Sequence, residues 1–220
     1  MEERLLNVRE CLAYGYSRIK IRGKIEDIFQ YSHTTVDDII MFSNVVHVTR
    51  KSGKVDKVPI IIPEDLCSYD SIVGKTVELS GDLRTYKKYD ENGHVHHDLF
   101  MFVKSLKECS NFDEHVNEVE LEGEIYWEPS IRLASNNKLI TNFSIMVINP
   151  YDNNFAIRCI SWGRNAIYTS KMLPKERVRC LGRFQSRTYL KTVYSEDGVA
   201  VKEERETFEI SVHSIEKVDW

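Results

Sequence analysis

The sequence predicts an all-β protein made of two tandem five-stranded barrels, each with a short helix between its third and fourth strands. Three observations predict it. Four blocks of sequence recur in the same order about 100 residues apart; successive segments alternate apolar and polar side chains with the period of a strand; and glycines stand inside those segments, where a small barrel bulges or bends to close.

The repeat sets the domain count. Ile19 to Ile25 matches Val119 to Ile125, with Gly23 answering Gly123; Phe42-Ser43 and the run Val45, Val46, Val48 match Phe143-Ser144 with Ile145, Val147, Ile148. Further on, Val77 to Leu83 matches Val178 to Phe184, with Gly81 answering Gly182, and Val103 to Leu106 matches Val212 to Ile215. Each match is weak alone, but four in one order define two domains, 1–110 and 115–220, joined by a short polar stretch near Cys109 to Glu114.

Period-two alternation places strands at 17–28, 39–49, 57–62, 75–88 and 97–107, and again at 117–127, 139–149, 154–162, 176–190 and 205–217. Short helical stretches open at Pro63 to Leu66 and at Gly163 to Ala166. Five strands with a helix after the third is the layout of the OB barrel, which limits open sheet edges by closing on itself.

Composition excludes several classes. No apolar run reaches the ~18 residues that cross a bilayer, and the acidic start MEERLLNVRE is unlike a secretory signal, so a cytoplasmic protein without membrane contact is expected. Five scattered cysteines form no Cys-x-x-Cys pair and read as reduced, mostly buried thiols. A net charge of −4 argues against a uniformly basic surface, but a locally basic groove is compatible with it.

Strand periodicity then sorts side chains by face. From Gly182 to Tyr189, Phe184, Ser186 and Thr188 share one face and Arg183, Gln185, Arg187 and Tyr189 the other. Guanidiniums beside an aromatic ring suit a polymer with phosphates and unstacked bases, as in single-stranded DNA. One strand earlier, Arg158, Ile160 and Trp162 share a face opposite Phe155, Ile157 and Cys159. The first half offers Asp82, Arg84, Tyr86 and Lys88 on one face, but Val58-Pro59-Ile60-Ile61-Ile62 has no tryptophan to answer Trp162, so weaker or different binding is expected there.

At this point the second half resembles the bacterial single-stranded DNA-binding proteins along nearly its whole length. The resemblance rests on Asn117 to Gly123, Glu128-Pro129 with Arg132, Phe143, Trp162-Gly163-Arg164 and, most specifically, Gly182-Arg183-Phe184-Gln185-Ser186-Arg187-Thr188-Tyr189. In the first half only Gly81 to Tyr86 and the turn Asp90-Glu91-Asn92-Gly93 resemble the family strongly. The resemblance implies a non-enzymatic protein, without cofactor, that wraps the strand around four OB barrels, here from a homodimer of two-barrel chains. It implies base stacking by Trp162 and Tyr189, with Arg132, Arg158, Arg164 and Arg187 at contact positions, in replication, recombination or repair. The family's acidic tip closing in Pro-Phe, which recruits partner enzymes, is not matched by Ile215 to Trp220, so recruitment through such a tip is not expected.

Two rivals stand beside this. His94, His96 and Asp98 fall on one strand face and have metal-ligating chemistry, but no nucleophile–base pair or phosphate-cradling loop accompanies them, and three close histidines on a hairpin are more often a polar, exposed turn. The other is an OB-type interaction module of a primosome or mobile-element replication machinery, for which the first half is the natural place.

Overall fold

In the computed structural model, which describes residues 14–66, 69–89, 93, 95–109, 115–134, 137–148, 154–194 and 200–218, the chain is all-β. Each half contributes one closed ring of five strands. In the first, β1 (Tyr16–Ile25) pairs with β3 (Ile40–Thr49), β3 with β4 (Val55–Pro63), β4 in parallel with β6 (Val95–Glu108), β6 with β5 (Thr76–Tyr89), and β5 with β1 again. The second ring repeats the circuit with β7 (Asn117–Ile125), β9 (Leu139–Val147), β10 (Phe155–Trp162), β12 (Ala200–Lys217) and β11 (Arg177–Tyr194).

Each half also carries a sixth strand that periodicity does not predict: β2 (Gln30–Thr34) along β3 and β8 (Ser130–Leu133) along β9. Both are short edge strands with almost every residue exposed, so they have no buried face to leave an alternating pattern. The predicted helices are present in place: a 3-10 turn Glu64–Leu66 with α1 (Tyr69–Ile72), and α2 (Arg164–Thr169).

The cores follow the alternation. On β1, Ile19, Ile21 and Ile25 point inward while Arg18, Lys20 and Lys24 point out. Phe184 on β11 is fully buried against Phe208, with ring centroids 5.8 Å apart. Gly81 and Gly182 sit at the bulges of the β5–β6 and β11–β12 ladders; a Cβ at Gly81 would stand 2.0 Å from the Phe102 carbonyl oxygen, so no other residue fits there. Cys159 and Cys180 are free and buried, and burial pushes both thiols well above their ordinary range.

The two rings meet by antiparallel pairing of β1 with β7. Ile19 pairs with Val119, its own repeat mate, so a local two-fold axis runs through that pair. Beside it Glu122, nearly buried, accepts hydrogen bonds from Arg177 (Nη2, 2.7 Å) and Arg179 (Nη2, 2.8 Å). A second junction forms around Asp56 of β4, 0% exposed, whose carboxylate takes Arg50 from its own half and, from the other, the Ser186 amide at 2.9 Å and Arg183 at 3.5 Å. Pairing from both halves compensates the cost of burying that charge.

Candidate nucleic-acid interface

The register of the second ring decides which predicted residues meet. β10 sends Phe155, Ile157 and Cys159 into the core and leaves Arg158 and Trp162 exposed. Trp162 pairs with Ile140 of β9, and Arg132 of β8 pairs with the same residue from the other side. Directly paired residues share a face, so Arg132, Ile140 and Trp162 form one row. Arg158 pairs with Ser144, four residues further along β9, or about 13 Å. Trp162 is 37% exposed, with buried Ile140 and Ile160 beside it as an apolar bed. Arg164, exposed, opens α2 directly after Trp162-Gly163.

A second group lies on the long β11–β12 hairpin. Arg187 pairs with Thr207 and Tyr189 with Arg205, both exposed, Tyr189 at 40%. Ser161 is level with Val212 on the parallel β12, which puts Trp162 level with His213, so Tyr189 lies about 26 Å along that strand from Trp162.

Arg183 is the correction. Alternation puts it on the same face as Arg187, but the first half covers that part of the strand. Its guanidinium is half-buried, 3.5 Å from Asp56, and donates to Gln185 at 2.8 Å; burial, reinforced by the Arg50 charge, pulls its pKa down. With Gln185 and Glu209 buried beside it, Arg183 closes the junction between halves and divides the face into the two groups above. Arg84 is engaged similarly: its guanidinium lies 5.6 Å from the centroid of the Phe155 ring across the junction and 3.9 Å from Asp82.

Charge pairing separates the arginines further. Arg18, Arg22, Arg50, Arg84, Arg177, Arg179, Arg183 and Arg205 each have a carboxylate oxygen within 3.9 Å. Among the described residues, Arg132, Arg158, Arg164 and Arg187 have none, and all four are exposed. A guanidinium without a carboxylate partner takes a phosphate without first breaking an ion pair.

The first half is built differently. Its outer face holds an open groove of about 1030 Å³ lined by Val45, Pro59, Ile61, Tyr86 and Phe100 together with Glu26, Asp27, His33 and Asn44, and among the described residues no lysine or arginine lines it. The Tyr86 and Phe100 rings are 5.5 Å apart; desolvation, with Asp98 beside it, raises the Tyr86 hydroxyl pKa. The Lys88 side chain lies outside the described residues, as do His94 and the His96 side chain of the histidine cluster.

Periodicity also misses an aromatic pair. Directly after β7, Tyr126 and Trp127 are 38% and 62% exposed with ring centroids 4.2 Å apart. Alternation runs the predicted strand on to 127 and so treats the two rings as ordinary strand residues, whereas β7 ends at Ile125; two aromatics running into Glu128-Pro129 are the signal that could have singled them out.

No family model matches the chain, and no curated protein matches it. Among solved structures it is similar to the wild-type single-stranded DNA binding protein from Thermus aquaticus, at a TM-score of 0.67 and 13% identity over 94% of this chain and 95% of that one. A deletion mutant of the same Thermus aquaticus protein superimposes at a TM-score of 0.69 and 12% identity, covering 94% and 97%. Likeness over nearly the full length of both chains establishes the shared all-β fold.

Proposed function

We propose that the chain binds single-stranded DNA without chemical turnover, on the outer face of its second barrel. Bases stack on Trp162 and Tyr189, and phosphates pair with Arg132, Arg158, Arg164 and Arg187. The observation that carries this is a selective lack of carboxylate partners among the described residues: Arg132, Arg158, Arg164 and Arg187 on that face have none there, while the arginines at the junctions are paired. A fold shared with a single-stranded DNA binding protein supports it.

The two barrels, 1–110 and 115–220, act as separate OB units, and a homodimer supplies four of them to one strand. The reading extends this binding to service in replication, recombination or repair, in the cytoplasm. The direct test is titration of end-labelled poly-dT while tryptophan emission is followed. The proposal expects binding and quenching at low salt that weaken as salt rises, because phosphate neutralisation releases counterions. A chain that neither retards poly-dT nor loses emission at low salt is not a DNA binder.

One observation favours a second reading for the first half. Its groove mixes apolar and polar walls with two carboxylates and, among the described residues, no lysine or arginine, which suits a protein segment better than a phosphate backbone.

A further inference from the structure

The outer face of the second barrel does not end at Trp162. β7 runs into β9 through Glu124–Met146 and Ile125–Ile145 pairing, and the Tyr126 amide continues the ladder by donating to the Ser144 carbonyl at 2.9 Å. Ser144 is the residue that pairs with Arg158 on its other side. The Tyr126–Trp127 step is therefore anchored to one end of β9 beside Arg158, and the Trp162–Arg132 row sits about 13 Å away toward the other.

The repeat sharpens the contrast. With Gly23 matching Gly123, the residues in register with Tyr126 and Trp127 are Glu26 and Asp27. Glu26 is a carboxylate paired with His47 at 2.7 Å and Lys24 at 3.5 Å. The same loop thus presents anionic side chains on one barrel and aromatic rings on the other. Trp127 packs on Tyr126 and otherwise leaves most of its surface open. Tyr126, opposite Ser144, lies two strands from Arg158, an exposed guanidinium on the same face with no carboxylate partner among the described residues. Exposed rings on a surface that also carries an available cation, here about 10 Å across two strands, are the combination that stacks a base while a phosphate is held.

We infer that Trp127, backed by Tyr126, is a further base-stacking station of the second barrel, continuing the Trp162–Arg132–Arg158 surface, and that the first barrel lacks it because Glu26 and Asp27 occupy the equivalent loop. This rests on the single-stranded DNA reading of that face. It predicts unequal barrels, with the strand held by one more base on the second than on the first.

The test uses the full chain with Trp162→Phe and Trp220→Phe, which leaves Trp127 as the remaining one of three tryptophans. Saturation with poly-dT quenches its emission. In the otherwise unchanged chain, Trp127→Ala weakens binding of labelled poly-dT roughly five- to a hundredfold at constant salt slope, and Trp127→Phe restores most of it. If labelled poly-dT binds but the Trp127 emission is unmoved and Trp127→Ala binds like the parent, the station is wrong while the DNA face stands. If the parent chain fails to bind poly-dT at all, both fall. A shift of Trp127→Ala to a smaller sedimenting species with poly-dT affinity unchanged assigns the ring to a second copy of the chain and also overturns the inference.

Discussion

Removing the unpaired guanidiniums changes how binding depends on salt by an amount that the structure sets. Each cation that neutralises a phosphate on a single strand contributes about −0.7 to the slope of log affinity against log salt. With Arg132, Arg158, Arg164 and Arg187 all engaged, these four supply a slope of about −2.8, so a fourfold rise in salt costs about 50-fold in affinity through them alone. Arg187→Ala then makes the slope shallower by about 0.7, and the quadruple alanine variant by about 2.8. Arg205→Ala is the control: Arg205 lies on the same hairpin, opposite Tyr189, but is tied to Glu203 at 3.0 Å, so its removal leaves the slope unchanged. Fluorescence anisotropy of labelled poly-dT at several salt concentrations reads all of these. An Arg205→Ala slope as shallow as that of Arg187→Ala, or a quadruple variant with the parental slope, would refute the idea that carboxylate pairing sorts these arginines by role.

Tyr189→Ala behaves differently, losing about 1–3 kcal/mol of poly-dT affinity at every salt concentration with the slope intact, since a ring carries no charge; an unchanged affinity removes Tyr189 from the surface. Glu122→Gln tests the β1–β7 junction: Arg177 and Glu122 are both nearly buried, and losing the charge of one partner costs about 3–5 kcal/mol in chemical denaturation at neutral pH. Burial would raise the Glu122 pKa, but the Arg177 and Arg179 hydrogen bonds outweigh it and hold the carboxyl below its ordinary 4.5. Its contribution to stability is thus complete above that value and lost as pH falls through the lower folded one, because the unfolded chain takes up the proton first. Stability between neutral and acid pH therefore falls less steeply for Glu122→Gln than for the parent; equal slopes would exclude Glu122 as the group responsible.

The ring of five strands was legible because each of its members buries one face. Ile19, Ile21 and Ile25 against Arg18, Lys20 and Lys24 spell the period out, and the repeat supplies it twice. β2 and β8 were illegible for the converse reason, having scarcely any buried side to mark. The same alternation that correctly turns Arg158 and Arg187 outward also turns Arg183 outward. Period two reports the face of a sheet but not what packs on it, and Asp56, 127 residues away in sequence, is what packs on Arg183. The Tyr126–Trp127 pair was hidden because alternation carried the strand through 127, two residues past its end, and the lack of carboxylate partners for the four arginines emerges only from the places of the described carboxylates.

The central claim concerns which face of which barrel touches the strand, and ultraviolet cross-linking of poly-dT followed by peptide mapping addresses it most directly. Cross-links concentrated on Tyr126 through Trp162 and on the Arg187–Tyr189 segment are the predicted result. Cross-links concentrated instead on Tyr86 and Phe100 in the first-barrel groove, with the second barrel unlabelled, would contradict it.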